Sequence, residues 1–399
     1  MTPLVLPCCL GALALAGADP LRVDADFPGG AAHVIDIDQS TRRVRFQVPQ
    51  SDSLRSWWYF HVSGVRPGET ITLELVYGKA RARRAAYSLD RRLWRFTAPG
   101  VEDEATGSLA YRQRIDGAEA WFAWYAPYLL ADAVVLVDRA ERASPHAKKF
   151  ILCESEGKRP VPAVRVAQPG AADDERFGVW IQARQHAWET GGSWTAHGLV
   201  EWLISDEPRA AALRRKAAIT IVPIMDVDSV ERGLGGKWQQ PHDHNRDWSD
   251  RPHWRAVDAS MREAARLDAA GRLDLFLDLH DPTWQAGFEF WCNPYPTMTG
   301  VRRRNTDRFL AAMKAEIVGP LRFDPEVYSP YPVDTPTAGN WSSQRTRPTV
   351  VGGTCEIGVC PPGDLVGDPP SFQLIAGRQL GLAIERYLDL RNRTDARAP

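Results

Sequence analysis

Four short strand-like runs recur through the second half of the chain, the first three separated from one another by helical stretches. They are Phe177–Ala183, Ile219–Met225, Leu273–Leu279 and Thr349–Cys355. The first three are almost continuously apolar, so neither face of such a strand is suited to water. The helical stretches are Thr195–Leu203, Pro208–Lys216 and Arg255–Ala270, with an amphipathic helix at Phe372–Leu390 closing the chain. Buried strands joined by helical crossovers imply a mostly parallel sheet covered by helices on both faces. That pattern excludes an all-β or all-helical organisation for this half.

Residues 20–147 have a different texture. Short strands are expected at His33–Ile37, Arg43–Gln47, Trp57–Ser63, Thr70–Tyr77, Glu119–Tyr125 and Ala133–Val137, with a turn at Arg66-Pro67-Gly68. Several alternate with period two, and no long helix is expected among them. The stretch reads as a β-sandwich. The chain therefore divides into a signal peptide or extension at 1–19, a sandwich at 20–147, a polar linker at 148–165, an α/β unit at 166–391 and a tail at 392–399. Leu4–Ala18 is apolar and ends in Ala16-Gly17-Ala18, a small-residue cleavage pattern, but it lacks a basic leading segment.

Composition narrows the partners. The 49 basic and 50 acidic side chains leave a net charge of -1, which argues against broad phosphate neutralisation and so against a nucleic-acid partner. No run is long and apolar enough for a membrane span, so stable membrane insertion is not expected. Cys153, Cys292, Cys355 and Cys360 form no zinc-knuckle spacing. A Cys355–Cys360 bridge and free buried thiols both remain open.

Ligand-type residues gather where these strands end, which is where α/β sheets build sites. The first strand runs into Arg184-Gln185-His186-Ala187-Trp188-Glu189, the third ends in Asp278-Leu279-His280-Asp281, and the fourth in Thr354-Cys355-Glu356. A catalytic zinc takes three protein ligands and keeps one position open. His186, Glu189 and His280 fit that ligand set. Glu356 fits the general base that takes a proton from water and passes it to a leaving amine. Between them lies His242-Asp243-His244-Asn245-Arg246-Asp247-Trp248, too polar for a core segment. An Arg fork beside an Asn amide suits an anionic group, with His242 and His244 as lining or supporting residues.

These motifs resemble the M14-type zinc carboxypeptidases, particularly the cytosolic carboxypeptidase subfamily and its bacterial relatives. His186-Ala187-Trp188-Glu189 looks like that subfamily's H-P-G-E segment, and Asn245-Arg246-Asp247-Trp248 looks like its N-R-N-W/Y motif. Thr354-Cys355-Glu356 matches the strand that carries its base. Trp58-Tyr59-Phe60-His61-Val62-Ser63-Gly64-Val65-Arg66-Pro67-Gly68 resembles a stretch of its N-terminal sandwich.

The resemblance implies a zinc-carboxypeptidase-like α/β fold, with a mixed, mostly parallel sheet preceded by an all-β sandwich. It implies one zinc ion per chain on His186, Glu189 and His280, with Asn245 and Arg246 holding a substrate's terminal carboxylate. Cleavage of the last peptide bond of a peptide or protein follows, with a cytoplasmic location unless residues 1–18 are a signal peptide. A deacylase or amidase acting on small N-acyl amino acids, and a catalytically silent peptide-binding protein, are the alternatives.

Three departures from the family pattern matter. Trp188 stands where the subfamily has Gly and is expected to alter access to the cleft. Lys237 sits near the place of an upstream Arg that polarises the scissile carbonyl. No specificity residue is secured: Arg345 and Arg347 are candidates for facing an acidic side chain, with solvated surface charges as the plain alternative. Tyr328 and Tyr331 are candidates for a hydroxyl over the cleft.

Overall fold

The computed structural model describes residues 19–49, 56–77, 82–170, 176–281, 287–324, 329–359 and 367–391. Residues 1–18, where a signal peptide or extension is expected, Tyr328, Cys360 and residues 392–399 lie outside the described residues.

The N-terminal half is built from two five-stranded sheets. One runs in the order Arg22–Asp24, Tyr59–Ser63, Glu119–Ala123, Ala86–Ser88, Trp94–Phe96; the other His33–Asp38, Arg43–Gln47, Glu69–Tyr77, Ser108–Ile115, Val101–Asp103. Alternation puts Val44 and Phe46 in the core while Arg43 and Arg45 reach outward to Glu74. The two inner faces meet through aromatic rings. Phe46 of one sheet lies edge-on to Phe60 of the other, with centroids 4.9 Å apart.

One expected strand is a helix. Ala133–Val137 lies inside Leu130–Ala143, whose buried residues are Ala133, Leu136, Val137 and Ala140. That spacing is one helix face. A five-residue window of apolar and β-branched residues hides it; only the flanking charges reveal the helical period. Asp132 then secures the first turn, its carboxylate accepting from the Leu129 amide at 2.7 Å.

The stretch 148–165 also differs from expectation. Ala147–Glu154 and Pro160–Val166 form an antiparallel hairpin at the edge of an eight-stranded sheet. Lys148 and Lys149 are exposed, charges of the kind that protect an edge strand from pairing.

From that hairpin the sheet continues through Ala217–Val222, Phe177–Ala183, Leu275–His280, Val351–Ile357, Phe288–Trp291 and Phe323–Asp324. The four strands after the hairpin are mutually parallel, with an antiparallel neighbour on each side. They are the four runs singled out in the sequence. Alternate residues serve opposite cores. Leu275, Leu277 and Leu279 pack with the helices Thr190–Leu203 and Ser371–Asp389. Trp180 and Phe276 share the other face with Val257 and Ala264 of Arg255–Ala269 and Trp341 of Ala338–Gln344. Coverage on both faces is why these strands are apolar throughout.

Candidate metal centre

The strand Phe177–Ala183 leaves the sheet through Arg184, whose φ of 66° is a strained conformation for a residue with a side chain. The buried guanidinium holds the turn that follows. Its Nε donates to the Ala187 carbonyl at 2.7 Å, and Nη1 to the Tyr128 carbonyl and Ser193 Oγ at 3.2 Å each. This turn presents His186, and Glu189 then stands immediately before the helix Thr190–Leu203. Gly191 and Gly192 let that helix begin against the neighbouring strand; a Cβ on Gly192 would come within 2.7 Å of the Leu279 carbonyl.

His280 ends its own strand and pairs in register with Glu356. The two His Nδ1 atoms stand 3.2 Å apart, and each is 2.8 Å from a different Glu189 carboxylate oxygen. All the ligand atoms of this buried trio lie within 4.8 Å of one another. Ligands about 2 Å from a tetrahedral zinc would be roughly 3.3 Å apart, so the donor set fits that ion.

The outer nitrogens of both rings have carboxylate partners. His186 Nε2 donates to Asp243 Oδ1 at 3.0 Å and His280 Nε2 to Asp278 Oδ2 at 2.7 Å. Such partners orient a ligating imidazole and leave its inner nitrogen as the donor to metal. The field is arranged for a cation. Despite burial, Asp243 and Glu189 hold His186 above its usual pKa, and Asp278 and Glu189 hold His280 well above. Glu189, also despite burial, is held well below the carboxylate range by the two imidazoles.

Glu356 behaves oppositely. Burial, reinforced by Glu189 and opposed by His280, Lys237 and His186, pushes its carboxyl up to about 7. It lines a narrow cleft together with His186, His280, Lys237, Asn245 and Tyr331. Lys237 is held in its charged form, above its usual pKa, because Glu189, Tyr331, Glu356 and Asp243 outweigh its burial.

The polar segment His242–Trp248 forms a tight turn at His244–Arg246. Asp243 caps it, Oδ1 accepting from the Asn245 amide at 2.7 Å. Asn245 Oδ1 accepts from Ala338 N at 2.9 Å, which fixes the side-chain amide. Its Nδ2 lies 3.2 Å from His280 Nε2. Since that ring nitrogen donates to Asp278, the amide hydrogens remain available to the cleft. The Arg246 guanidinium lies 4.4 Å above the Tyr331 ring and donates to the Asn245 carbonyl at 2.8 Å.

Other expected residues are placed elsewhere. His244 stacks on Trp254 with centroids 4.6 Å apart, and His242 is exposed, so Asp243 between them is the supporting residue. Arg345 is solvated, its side chain 63% exposed and 3.6 Å from Asp250. Arg347 is held by Asp268 at 2.8 Å and by the Leu273 carbonyl at 2.6 Å. Neither Arg lines the cleft. Trp188 turns away from it into the core of the N-terminal sandwich. Asp243 and Asp278 carried no role in the sequence reading. Asp278 had a usable signal, since two residues along a strand it shares the face of His280.

Comparison with known proteins adds an independent line. Residues 134–269 match the model of the zinc carboxypeptidases and residues 23–125 that of the cytosolic carboxypeptidase N-terminal domain. Together these matches span more than half of the chain. The first contains His186, Glu189, Lys237, Asn245 and Arg246; His280 and Glu356 lie beyond it.

An uncharacterised Zymomonas mobilis protein is 28% identical over 287 residues, 67% of this chain and 71% of that one. Mouse cytosolic carboxypeptidase 1 is 24% identical over 275 residues, which cover 58% of this chain and 23% of the mouse protein. A metallo-carboxypeptidase from Burkholderia cenocepacia superposes with a TM-score of 0.79 at 21% identity, covering 93% of this chain and 99% of that one. One from Pseudomonas aeruginosa gives 0.78 at 22%, covering 94% and 100%.

Proposed function

Because the chain belongs to the zinc carboxypeptidase family, in its cytosolic carboxypeptidase branch, we propose that it hydrolyses the C-terminal peptide bond of peptides or proteins with one zinc ion per chain. The observation that carries this reading is the meeting of two His Nδ1 atoms at the two oxygens of the Glu189 carboxylate, with both imidazoles lining one cleft together with Glu356. Zinc on His186, Glu189 and His280 would supply Lewis acidity toward water and the scissile carbonyl.

The chain's own groups supply the rest. Asn245 and Arg246 grip the terminal carboxylate, with Tyr331 stacked beneath the guanidinium to hold it in place. Lys237 sets a positive charge beside the carbonyl oxygen as negative charge develops there. Glu356 takes a proton from water as the C–O bond forms, then gives it to the departing amine as the C–N bond breaks.

A preference for acidic C-terminal residues would need a different basis from Arg345 and Arg347, since both point elsewhere; Lys237 lines the cleft and Arg246 lies beside it, over Tyr331. The working location is the cytoplasm, after the relatives' name. Among the described residues no helix is long and apolar enough to cross a membrane.

The test is mass spectrometry of a mixed peptide library incubated with the purified chain. Single C-terminal residues should be lost, trimming should stop with a chelator and return with zinc, and the residues released identify the pocket's preference. Glu356→Gln should lower turnover by about 10²–10⁴-fold while zinc stays bound. A Glu356→Gln variant with most of its activity would make the base assignment wrong. Hydrolysis of N-acyl amino acids without peptide trimming would favour the deacylase alternative.

A further inference from the structure

Trp188 lies between two metal-ligand residues, yet its side chain belongs to a different core. It is 2% exposed and clusters with the sandwich interior rather than with either face of the eight-stranded sheet. Its ring meets Trp124 edge-on, centroids 5.1 Å apart at 69°. Trp124 is itself seated in the sandwich, its amide donating to the Trp58 carbonyl at 2.9 Å. The backbone of the same turn is tied to the loop carrying Lys237, Trp188 N donating to the Gly235 carbonyl at 3.1 Å.

The sandwich reaches the other site-bearing segments as well. Val359, three residues beyond Glu356, is buried in the same core. The Tyr125 hydroxyl donates to Gln373, whose Nε2 donates to the Gly358 carbonyl at 2.8 Å. Gly29 N donates to the Glu231 carbonyl at 3.0 Å. A Cβ on Gly233 would sit 2.2 Å from the Gly30 carbonyl. The His186–Glu189 turn, the Lys237 loop and the end of the Glu356 strand thus all rest on one neighbouring unit.

We infer that Trp188 is a positioning residue that transmits the placement of the N-terminal sandwich to the metal-ligand turn, making the sandwich part of the zinc site. The inference rests on the metallopeptidase reading above. The physical reason lies in the turn itself. His186–Glu189 belongs to neither the strand before it nor the helix after it, and it lacks the Pro and Gly of the family segment. A large buried ring fills that role by packing: it fixes the turn's backbone on both sides, and with it the separation of the His186 and Glu189 donors.

The test compares full-length variants by zinc affinity, measured by competition with a chromogenic chelator, and by steady-state kinetics. Trp188→Ala should raise the zinc dissociation constant roughly 10–100-fold, the range for outer-shell supports, and lower kcat more than it changes KM. Trp188→Phe, which keeps an aromatic ring in the sandwich, should restore most of that affinity. Leu73→Ala, a cavity on the Glu69–Tyr77 strand, which belongs to the sheet that does not lead into Trp124, should lower the melting temperature without moving zinc affinity.

If Trp188→Ala does not fold, Trp124→Leu carries the same test with the ligand turn untouched, and its zinc affinity should fall. A folded Trp188→Ala with wild-type zinc affinity and kcat would overturn the inference. So would a Leu73→Ala that weakens zinc as much as Trp188→Ala does. A wild-type chain that binds zinc tightly but trims no peptide would sink the proposed function while leaving the zinc-affinity comparison readable.

Discussion

Replacing Asp243 with Ala should damage the metal site and the fold separately, and the two losses can be measured apart. Asp243 is almost fully buried. Its Oδ1 accepts from His186 Nε2 at 3.0 Å and from Asn245 N at 2.7 Å, and its Oδ2 from Trp238 N at 3.3 Å. Although burial opposes its charge, His186, Arg246 and Lys237 hold its carboxyl well below the usual range, so it is an anion at working pH.

Removing this carboxylate frees the His186 ring to rotate or change tautomer. Outer-shell losses of this kind cost about 10–100-fold in metal affinity, equivalent to roughly 1.4–2.7 kcal/mol. Two buried donors, His186 Nε2–H and Asn245 N–H, also lose their acceptor. At about 1–3 kcal/mol each, the metal-free fold should lose roughly 2–6 kcal/mol. Exposed Trp238 can turn its amide to water and adds little.

Chelator-competition titration reads the first quantity, and denaturant unfolding of the metal-free protein reads the second. Asp243→Asn keeps one acceptor oxygen without the charge and should fall between wild type and Asp243→Ala in both. Unchanged zinc affinity in a folded Asp243→Ala would refute the idea that this carboxylate orients His186.

Two further outcomes follow from the same geometry. Glu356 accepts a proton only when ionised, and burial has raised it to about 7. The rate should therefore fall as pH drops through its pKa; a bound dication opposes burial, so the midpoint in the holoenzyme should lie below 7, and a kcat/KM profile flat down to about pH 5 would contradict this. Arg347→Ala should cost about 1–3 kcal/mol of stability, from its charged hydrogen bonds to Asp268 and the Leu273 carbonyl, without altering which C-terminal residue is released; a shifted preference in the peptide library would return Arg347 to the cleft.

The parts of this chain legible in sequence are those where a single period or a single strand end carries the information. Phe177–Ala183 was placed to the residue because both of its faces are covered, and a continuous apolar run leaves little choice. His186, Glu189, His280 and Glu356 are legible as candidates, and lie together in the structure, because strand ends in such sheets point toward one crevice. Errors arose where a short window resembled another element. Ala133–Val137 read as a strand because five apolar residues do not reveal a helical repeat. The edge hairpin read as a linker because its outer side chains are charged.

The sequence determined which chemical groups are available near the strand ends: two imidazoles and a carboxylate that could hold a metal, a further carboxylate, and an Asn–Arg pair. Hydrophobic periodicity and strand ends are local properties, and they carry that much. Tertiary structure alone decided which charges serve the site and which are scaffolding. Arg347 and Arg246 look alike in sequence, but one is spent on Asp268 and the other lies over Tyr331 beside the cleft. Asp243 and Trp188 acquire their roles from contacts with residues 57 and 64 positions away, His186 and Trp124. Such contacts depend on packing between distant segments, which no local pattern encodes.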